Sequence, residues 1–279
     1  NFLFTRSGSD DSIPADGAGS TTQYRDVAAL SGCASSDTGR NEASMGVACA
    51  DFDADGLIDL YLTHYFQAKN TLYRNLGGLL FDDDSRRWKV AATSFGYLGF
   101  GIVSLDYDRD ARPDVFITNG HVLGPLQQPN EMPPQLLHNS GSAFEDTSSQ
   151  AGEYFQSAYL GRSVASADFD SDGDTDLLVT HLDQPAALLE NRTITSGHFL
   201  GIELRARSRI RPVGGRVVIE SGSQRQTIPV IAGGSYLSSS DECLLAGLGN
   251  SGKTVDVSVY WPTGRVDRFS EVTIDQYLL

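Results

Sequence analysis

The sequence is short of positive charge, of long apolar runs and of recognisable catalytic motifs, and each shortage removes a class of protein. Lys and Arg number 21 against 36 Asp and Glu, a formal net charge of −15. Such a surface repels nucleic acid and anionic membranes. No 18-residue apolar run occurs, so no helix is expected to span a bilayer. There is no Gly-x-Ser-x-Gly elbow or His-Glu-x-x-His, which leaves catalysis without an obvious group to carry it. Three cysteines say little about compartment. The chain also opens without Met, inside a repeat, and the expectation is a processed precursor or part of a longer protein.

What the chain has is aspartate at a fixed spacing. Asp51-Phe-Asp-Ala-Asp-Gly-Leu-Ile-Asp59 puts carboxylates at positions 1, 3, 5 and 9 of a loop, with glycine at 6. Calcium takes about six to eight oxygens at about 2.3–2.6 Å, and alternate side chains converge on one point only where the backbone curls. Gly56 permits the curl because it has no Cβ to oppose a positive φ. Asp51, Asp53, Asp55 and Asp59 would supply carboxylate oxygens, Leu57 a carbonyl oxygen, and water the remainder. An EF-hand opens with the same spacing, but helices flank it and a bidentate Glu closes it at position 12. Here position 12 is Leu62, and the flanks Met45–Ala50 and Asp59–Thr63 are short apolar runs that read as strands.

The pattern returns twice. Asp106, Asp108, Asp110 and Asp114 form the second copy, with Arg112 at the carbonyl position. Asp168, Asp170, Asp172 and Asp176 form the third, with Asp174 there. The loops start 55 and 62 residues apart, about the length of a four-stranded blade, and a long fixed period marks a propeller or solenoid. A second motif alternates with the first: Asn70-Thr-Leu-Tyr-Arg-Asn75, Gln135-Leu-Leu-His-Asn139 and Ala187-Leu-Leu-Glu-Asn191. Single Asp-Gly runs also mark ordinary turns, but three copies in register count against that reading. Three Ca2+ sites are therefore expected, and they would leave a net charge of about −9. The middle one should be weakest, because Ala111 replaces the glycine at a cost of roughly 1 kcal/mol and Pro113 sits inside the loop.

These tandem loops, with Phe100-Gly101 and Leu160-Gly161 ahead of two of them, resemble the FG-GAP/VCBS repeats of integrin-type β-propellers. The resemblance implies calcium sites that brace blades rather than calcium chemistry. After Asn191 the Asp loops stop and short alternating strands follow, separated by turns such as Gly214-Gly215 and Ser221-Gly222. Val213-Gly-Gly-Arg-Val217, Gly233-Gly-Ser-Tyr-Leu-Ser238, Leu245-Ala-Gly-Leu-Gly249 and Val259-Tyr-Trp-Pro-Thr-Gly264 resemble the ASPIC/UnbV domain that closes cartilage-acidic-protein-like chains. The expected fold is all-β: propeller blades over 1–195, possibly a partial ring, and a small sandwich or barrel over 196–279.

Other features carry alternatives. Cys33 and Cys49 flank a 15-residue loop and could form a disulfide worth roughly 3 kcal/mol, or be two small buried residues. Asn191 opens the one glycosylation sequon. His64 and His181 fall at the same repeat position, with His121 nearby, and could hold a transition metal on a shared axis. The alternative is that each histidine caps its own blade by hydrogen bonding. Residues 83–95 read as an insertion, and 124–134 as an exposed loop where a partner could bind. The run Arg205-Ala-Arg-Ser-Arg-Ile-Arg211 reads as a basic hairpin tip, and 7–23 as a flexible loop.

The expected function is that of a secreted, periplasmic or surface-associated Ca2+-binding module. It would act by binding a protein, a glycan or another copy of itself. The rivals are a metal-dependent extracellular enzyme using the propeller face and an architectural subunit of a larger assembly.

Overall fold

A computed structural model describes residues 3–7, 23–124, 126, 128–205 and 211–279. Residues 8–22 and most of the basic run 205–211 lie outside them. The first two strands, β1 (Phe4–Ser7) and β2 (Gln23–Asp26), form a small antiparallel sheet. Blade 1 follows as β3 (Ser44–Ala50), β4 (Asp59–His64), β5 (Thr71–Asn75) and β6 (Phe81–Asp83). Blade 2 is β7 (Gly99–Leu105), β8 (Asp114–Asn119), β9 (Gln135–Asn139) and β10 (Phe144–Asp146). Blade 3 has β11 (Gly161–Ala167), β12 (Asp176–His181) and β13 (Ala187–Leu189). Within each blade the strands neighbour one another in chain order.

The aspartate loops are the turns between the first two strands of the blades. Ala50 pairs with Asp59, Leu105 with Asp114 and Ala167 with Asp176, so each loop starts and ends at one rung of a ladder. The first strands β3, β7 and β11 stand against one another, and small residues let them do so. A Cβ on Gly46 would meet the Phe100 carbonyl at 2.2 Å, and one on Gly101 would meet that of Arg162 at 2.7 Å.

Apolar layers fill the space between blades. Ala48, Tyr61 and Leu72 of blade 1 share a buried cluster with Ile102, Val115, Ile117 and Phe144 of blade 2. Val103, Phe116 and Leu136 of blade 2 meet Val164, Leu177 and Val179 of blade 3. By repeat position Leu178 and Leu188 are the blade 3 counterparts of Phe116 and Leu136, and they are 39% and 59% exposed. Blade 3 therefore turns an uncovered apolar face away from blade 2. The stretch 83–95 is less of an insertion than its charges suggest. Trp88 is buried in the layer between blades 1 and 2, its ring centroid 5.7 Å from that of Phe144, and a short helix, Val90–Ser94, follows it. Similarly, Met132 in the loop 124–134 is buried beside Leu98 and Phe100.

The remaining strands build a two-sheet sandwich. They are β14 (His198–Ile202), β15 (Arg216–Ser221), β16 (Gln224–Pro229), β17 (Leu244–Gly249), β18 (Thr254–Tyr260), β19 (Val266–Thr273) and β20 (Gln276–Leu278). One sheet has the order β17-β14-β20 and the other β16-β15-β18-β19. Leu200, Ile202 and Leu244 of the first pack on Val217, Ile219 and Val257 of the second, and alternate residues of β18 point into that core. Trp261 packs at its edge and donates its indole N–H to Asp267 at 2.8 Å.

Between β16 and β17 the chain leaves the sandwich and crosses the first strands of all three blades. Ser235 donates its N–H to the Val47 carbonyl (3.4 Å), and its hydroxyl accepts the N–H of Ile102 (2.9 Å). Ser238 donates to the Val164 carbonyl (2.6 Å), Ser240 accepts the Ser166 N–H (3.1 Å), and the Asp241 N–H reaches the Ser166 carbonyl (2.9 Å). First strands are edge strands with unpaired backbone groups. This segment supplies partners for several of those groups.

Candidate metal centres in the aspartate loops

The three loops share one internal hydrogen-bond scheme. The position 1 carboxylate accepts the N–H of position 6: Asp51 from Gly56 (2.9 Å), Asp106 from Ala111 (2.9 Å) and Asp168 from Gly173 (2.8 Å). One oxygen at position 9 accepts the N–H of position 2, as Asp59 does from Phe52 at 3.0 Å, Asp114 from Tyr107 at 3.3 Å and Asp176 from Phe169 at 2.9 Å. Position 5 accepts from position 7: Asp55 from Leu57, Asp110 from Arg112 and Asp172 from Asp174. Position 6 has a positive φ in every loop, including 75° at Ala111. The middle loop thus keeps the geometry while carrying the strain expected of a residue with a Cβ.

The other oxygen at position 9 explains the second sequence motif. It accepts the N–H of an asparagine at the end of the third strand or just past it: Asn75 on Asp59 (2.8 Å), Asn139 on Asp114 (2.7 Å) and Asn191 on Asp176 (2.7 Å). Two of these asparagines also clasp the neighbouring blade, Asn139 Nδ2 donating to the Phe52 carbonyl (3.0 Å) and Asn191 Nδ2 to that of Tyr107 (2.8 Å), whereas Asn75 Nδ2 donates to Ile58 of its own blade (2.9 Å). These asparagines had a periodic signal in the sequence but no assigned role. In the sequon at Asn191 the amide nitrogen thus also serves the blade contact.

The scheme draws carboxylates together. Oxygens of Asp51, Asp53 and Asp59 lie within 4.8 Å of one another, as do those of Asp106, Asp108 and Asp110 and those of Asp168, Asp170 and Asp176. Asp55 and Asp172 are not in these groups, and Asp174 instead faces Arg109. The fit to a cation shows in the first loop. Asp51 is only 6% exposed, and its Oδ1 is buried with no hydrogen-bond partner. Crowded, poorly solvated carboxylates hold their protons. Burial first, then neighbouring aspartates, pushes Asp51 up to about 6, and burial raises Asp59 to about 7 and Asp114 to about 6. A hard cation with oxygen ligands would relieve that repulsion.

His64, His121 and His181 do not form a group among the described residues, which corrects the shared-axis reading. The His64 ring, fully buried, lies between Ser44 and Thr71 at 3.1 and 3.0 Å with Glu42 beside it. His181 bonds Tyr154 and the Pro185 carbonyl, and His121 Nδ1 accepts the N–H groups of Val122 and Leu123. Each ring is occupied locally. Cys33, Cys49 and Cys243 are free thiols, so the disulfide is not formed. Cys33 packs with Ala28, Leu62 and Tyr73, whereas Cys49 lines a cavity of about 540 Å³ between the blades and the sandwich. The histidine that does join a carboxylate group is His138, with Asp108 and Asp114, a residue the sequence reading passed over.

The sandwich is seated on this loop face. Phe199 covers Gly173 so closely that a Cβ there would stand 2.3 Å from its ring, and Tyr277 bonds Asp168 through its hydroxyl. Thr195 donates to the Asp108 carbonyl (2.7 Å), the Gly249 N–H reaches the Arg109 carbonyl (2.8 Å), and Arg225 lies over Gly56.

Fold and loops together define a β-propeller chain built on aspartate-loop repeats and closed by a sandwich. Residues 51–117 match the FG-GAP-like repeat family and residues 206–279 match the ASPIC and UnbV family. The chain thus combines a propeller-like fold, part of which matches FG-GAP-like repeats, with a later segment that matches ASPIC and UnbV. It is similar to cartilage acidic protein 1 of Mus musculus, at 25% identity over 230 residues, covering 79% of this chain and 34% of that protein. The Xenopus tropicalis protein of that name is 25% identical over 234 residues and the Homo sapiens one 24% over 230. The chain spans about a third of the length of these relatives. Among the described residues no helix is long and apolar enough to cross a membrane.

Proposed function

We propose that this chain is a Ca2+-braced binding module of an extracellular propeller protein, with the cations held in its aspartate loops. The observation that carries the reading is Asp51: a buried carboxylate oxygen without a hydrogen-bond partner, on a side chain grouped with Asp53 and Asp59. When bound, Ca2+ supplies charge neutralisation. The residues of the chain supply the oxygens and the loop that presents them. Asp51, Asp53 and Asp59 would hold the first ion and Asp168, Asp170 and Asp176 the third, with Leu57 and Asp174 offering carbonyl oxygens.

Binding rather than catalysis fits this arrangement, because the grouped carboxylates already serve loop and blade structure. The uncovered apolar face of blade 3 and the exposed Leu126 supply surface for a protein or glycan partner or a further copy. Secretion, the periplasm or the cell surface would supply the calcium that loops of this kind need. The test is thermal unfolding of the protein before and after EDTA, with metal content measured on the same sample. Calcium as the bound metal, and a melting point that falls on chelation and returns with Ca2+, support the reading. An unchanged melting point overturns it.

A further inference from the structure

The three loops differ at one neighbouring position. The residue just before the asparagine that bonds position 9 is Arg74 in blade 1, His138 in blade 2 and Glu190 in blade 3. Arg74 bonds Asp84 through Nε at 2.7 Å and stands 3.8 Å from Asp53. Glu190 is held by Arg192 at 2.8 Å. His138 instead turns its Nδ1 to the second loop, 3.3 Å from Asp114 Oδ1 and 3.6 Å from Asp108 Oδ2. The Tyr107 ring meets the imidazole edge-on, with centroids 6.1 Å apart.

An ion pair or a simple hydrogen bond leaves part of this arrangement unexplained. Asp108 Oδ1 is buried with no hydrogen-bond partner, and His138 Nδ1, although it pairs with Asp114 at 3.3 Å, makes no well-aligned hydrogen bond. Asp114, fully buried, completes the group, and its own oxygens are oriented by the N–H groups of Tyr107 and Asn139. One of the expected calcium ligands, Asp110, is meanwhile paired with a cation of its own loop. The Arg112 guanidinium sits on Asp110 and its Nε is fixed on the Asn139 carbonyl at 2.8 Å. Beside Asp106, one imidazole nitrogen and two carboxylates converge from two strands and a loop.

We infer that the second loop is a separate site for a borderline divalent cation of the zinc class, held by Asp108, Asp114 and His138, and is not a third calcium site. Imidazole nitrogen suits zinc and its first-row neighbours, whereas calcium takes oxygen ligands. Three protein ligands leave further positions to water. The inference rests on the reading that these loops hold cations, but it concerns the choice of ion.

The test titrates Co2+, a spectroscopic stand-in for zinc, into the full chain in millimolar Ca2+, following its visible absorption. Bound Ca2+ is counted in parallel. One Co2+ per chain, displaced by Zn2+ and coexisting with two Ca2+, is the expected result. His138→Ala and His138→Gln should each weaken Co2+ binding by more than about tenfold while keeping the two Ca2+. That retained calcium reports that the variants are folded. His198→Ala, which alters the exposed sandwich histidine paired with Asp275, should change nothing. Cobalt binding that survives both His138 substitutions, or three Ca2+ per chain that exclude Co2+, overturns the assignment. One Co2+ lost with His138 in a chain that binds no Ca2+ would sustain it while refuting the calcium reading of the other loops.

Discussion

Arg109 and Asp174 join the second aspartate loop to the third. Nη2 donates to Oδ2 at 2.9 Å, Nε stands 2.8 Å from Oδ1, and the side chains are 17% and 5% exposed. The guanidinium also lies 6.0 Å from the Phe199 ring centroid, so one contact ties two loops to the base of the sandwich. A buried pair is costly to break one-sidedly, because the survivor keeps its charge without a partner. Arg109→Ala should destabilise the protein by about 3 kcal/mol in urea unfolding. Arg109→Met with Asp174→Leu should lose much less. Equal losses for the single and double variants would show that the pair itself does not carry the contact.

Asp51 should behave oppositely with and without calcium. Its buried, unpartnered oxygen is a liability in the metal-free protein and a ligand in the loaded one. Asp51→Asn should raise the melting point measured in EDTA, by the equivalent of about 1–2 kcal/mol, and shrink the stabilisation that Ca2+ adds. A full loop at about 100-fold saturation is worth about 2.7 kcal/mol. A substitution that lowers stability equally in both conditions would argue for a purely structural aspartate.

Acidity should stabilise the metal-free protein. The carboxyls of Asp51, Asp59 and Asp114 sit at about 6, 7 and 6, above their ordinary value near 3.8. The folded state then binds more protons than the unfolded state between that value and about 7, so stability falls as pH rises through this window. In EDTA, this group of carboxylates should make the melting point higher near pH 5 than near pH 8. The increment due to calcium should run the other way, growing as pH rises and the ligands deprotonate. Melting curves at both pH values, with and without Ca2+, check the two signs.

Gly101 should tolerate no side chain. A Cβ there would stand 2.7 Å from the Arg162 carbonyl and 2.9 Å from the Val164 N, both backbone atoms that cannot step aside. Gly101→Ala should cost roughly 1–3 kcal/mol by overpacking, read by chemical denaturation. Gly124→Ala meets no neighbouring atom and has only its positive φ of 78° to accommodate, so it should cost less.

Much of this was legible because the repeats state their rule three times. Aspartates at alternate positions and glycine at 6 announce a curled loop, and apolar runs on each side announce the strands it joins. The clasping asparagines were visible as a period, but their use was not, since Asn139 reaches Phe52 across 87 residues of chain. Trp88 was hidden among charged neighbours that suggested a surface loop, whereas its ring fills the layer between blades. His64 and His181 share a repeat position and still do not meet, because a common position in successive blades does not bring two side chains within reach. His138 went unread because its partners lie on an adjacent strand and loop, and no spacing in the sequence connects them.

The segment from Ser235 to Asp241 has a consequence for the order of assembly. It supplies partners to Val47, Ile102, Val164 and Ser166, yet the ribosome makes it after all three blades. Chains emerge from the amino end, and domains usually fold as they appear. Here the early blades must wait with open inner edges until the late segment threads across them. Their maturation is therefore tied to completion of the carboxyl-terminal sandwich, and a chain interrupted before Ser235 would expose three unpaired strand edges at once.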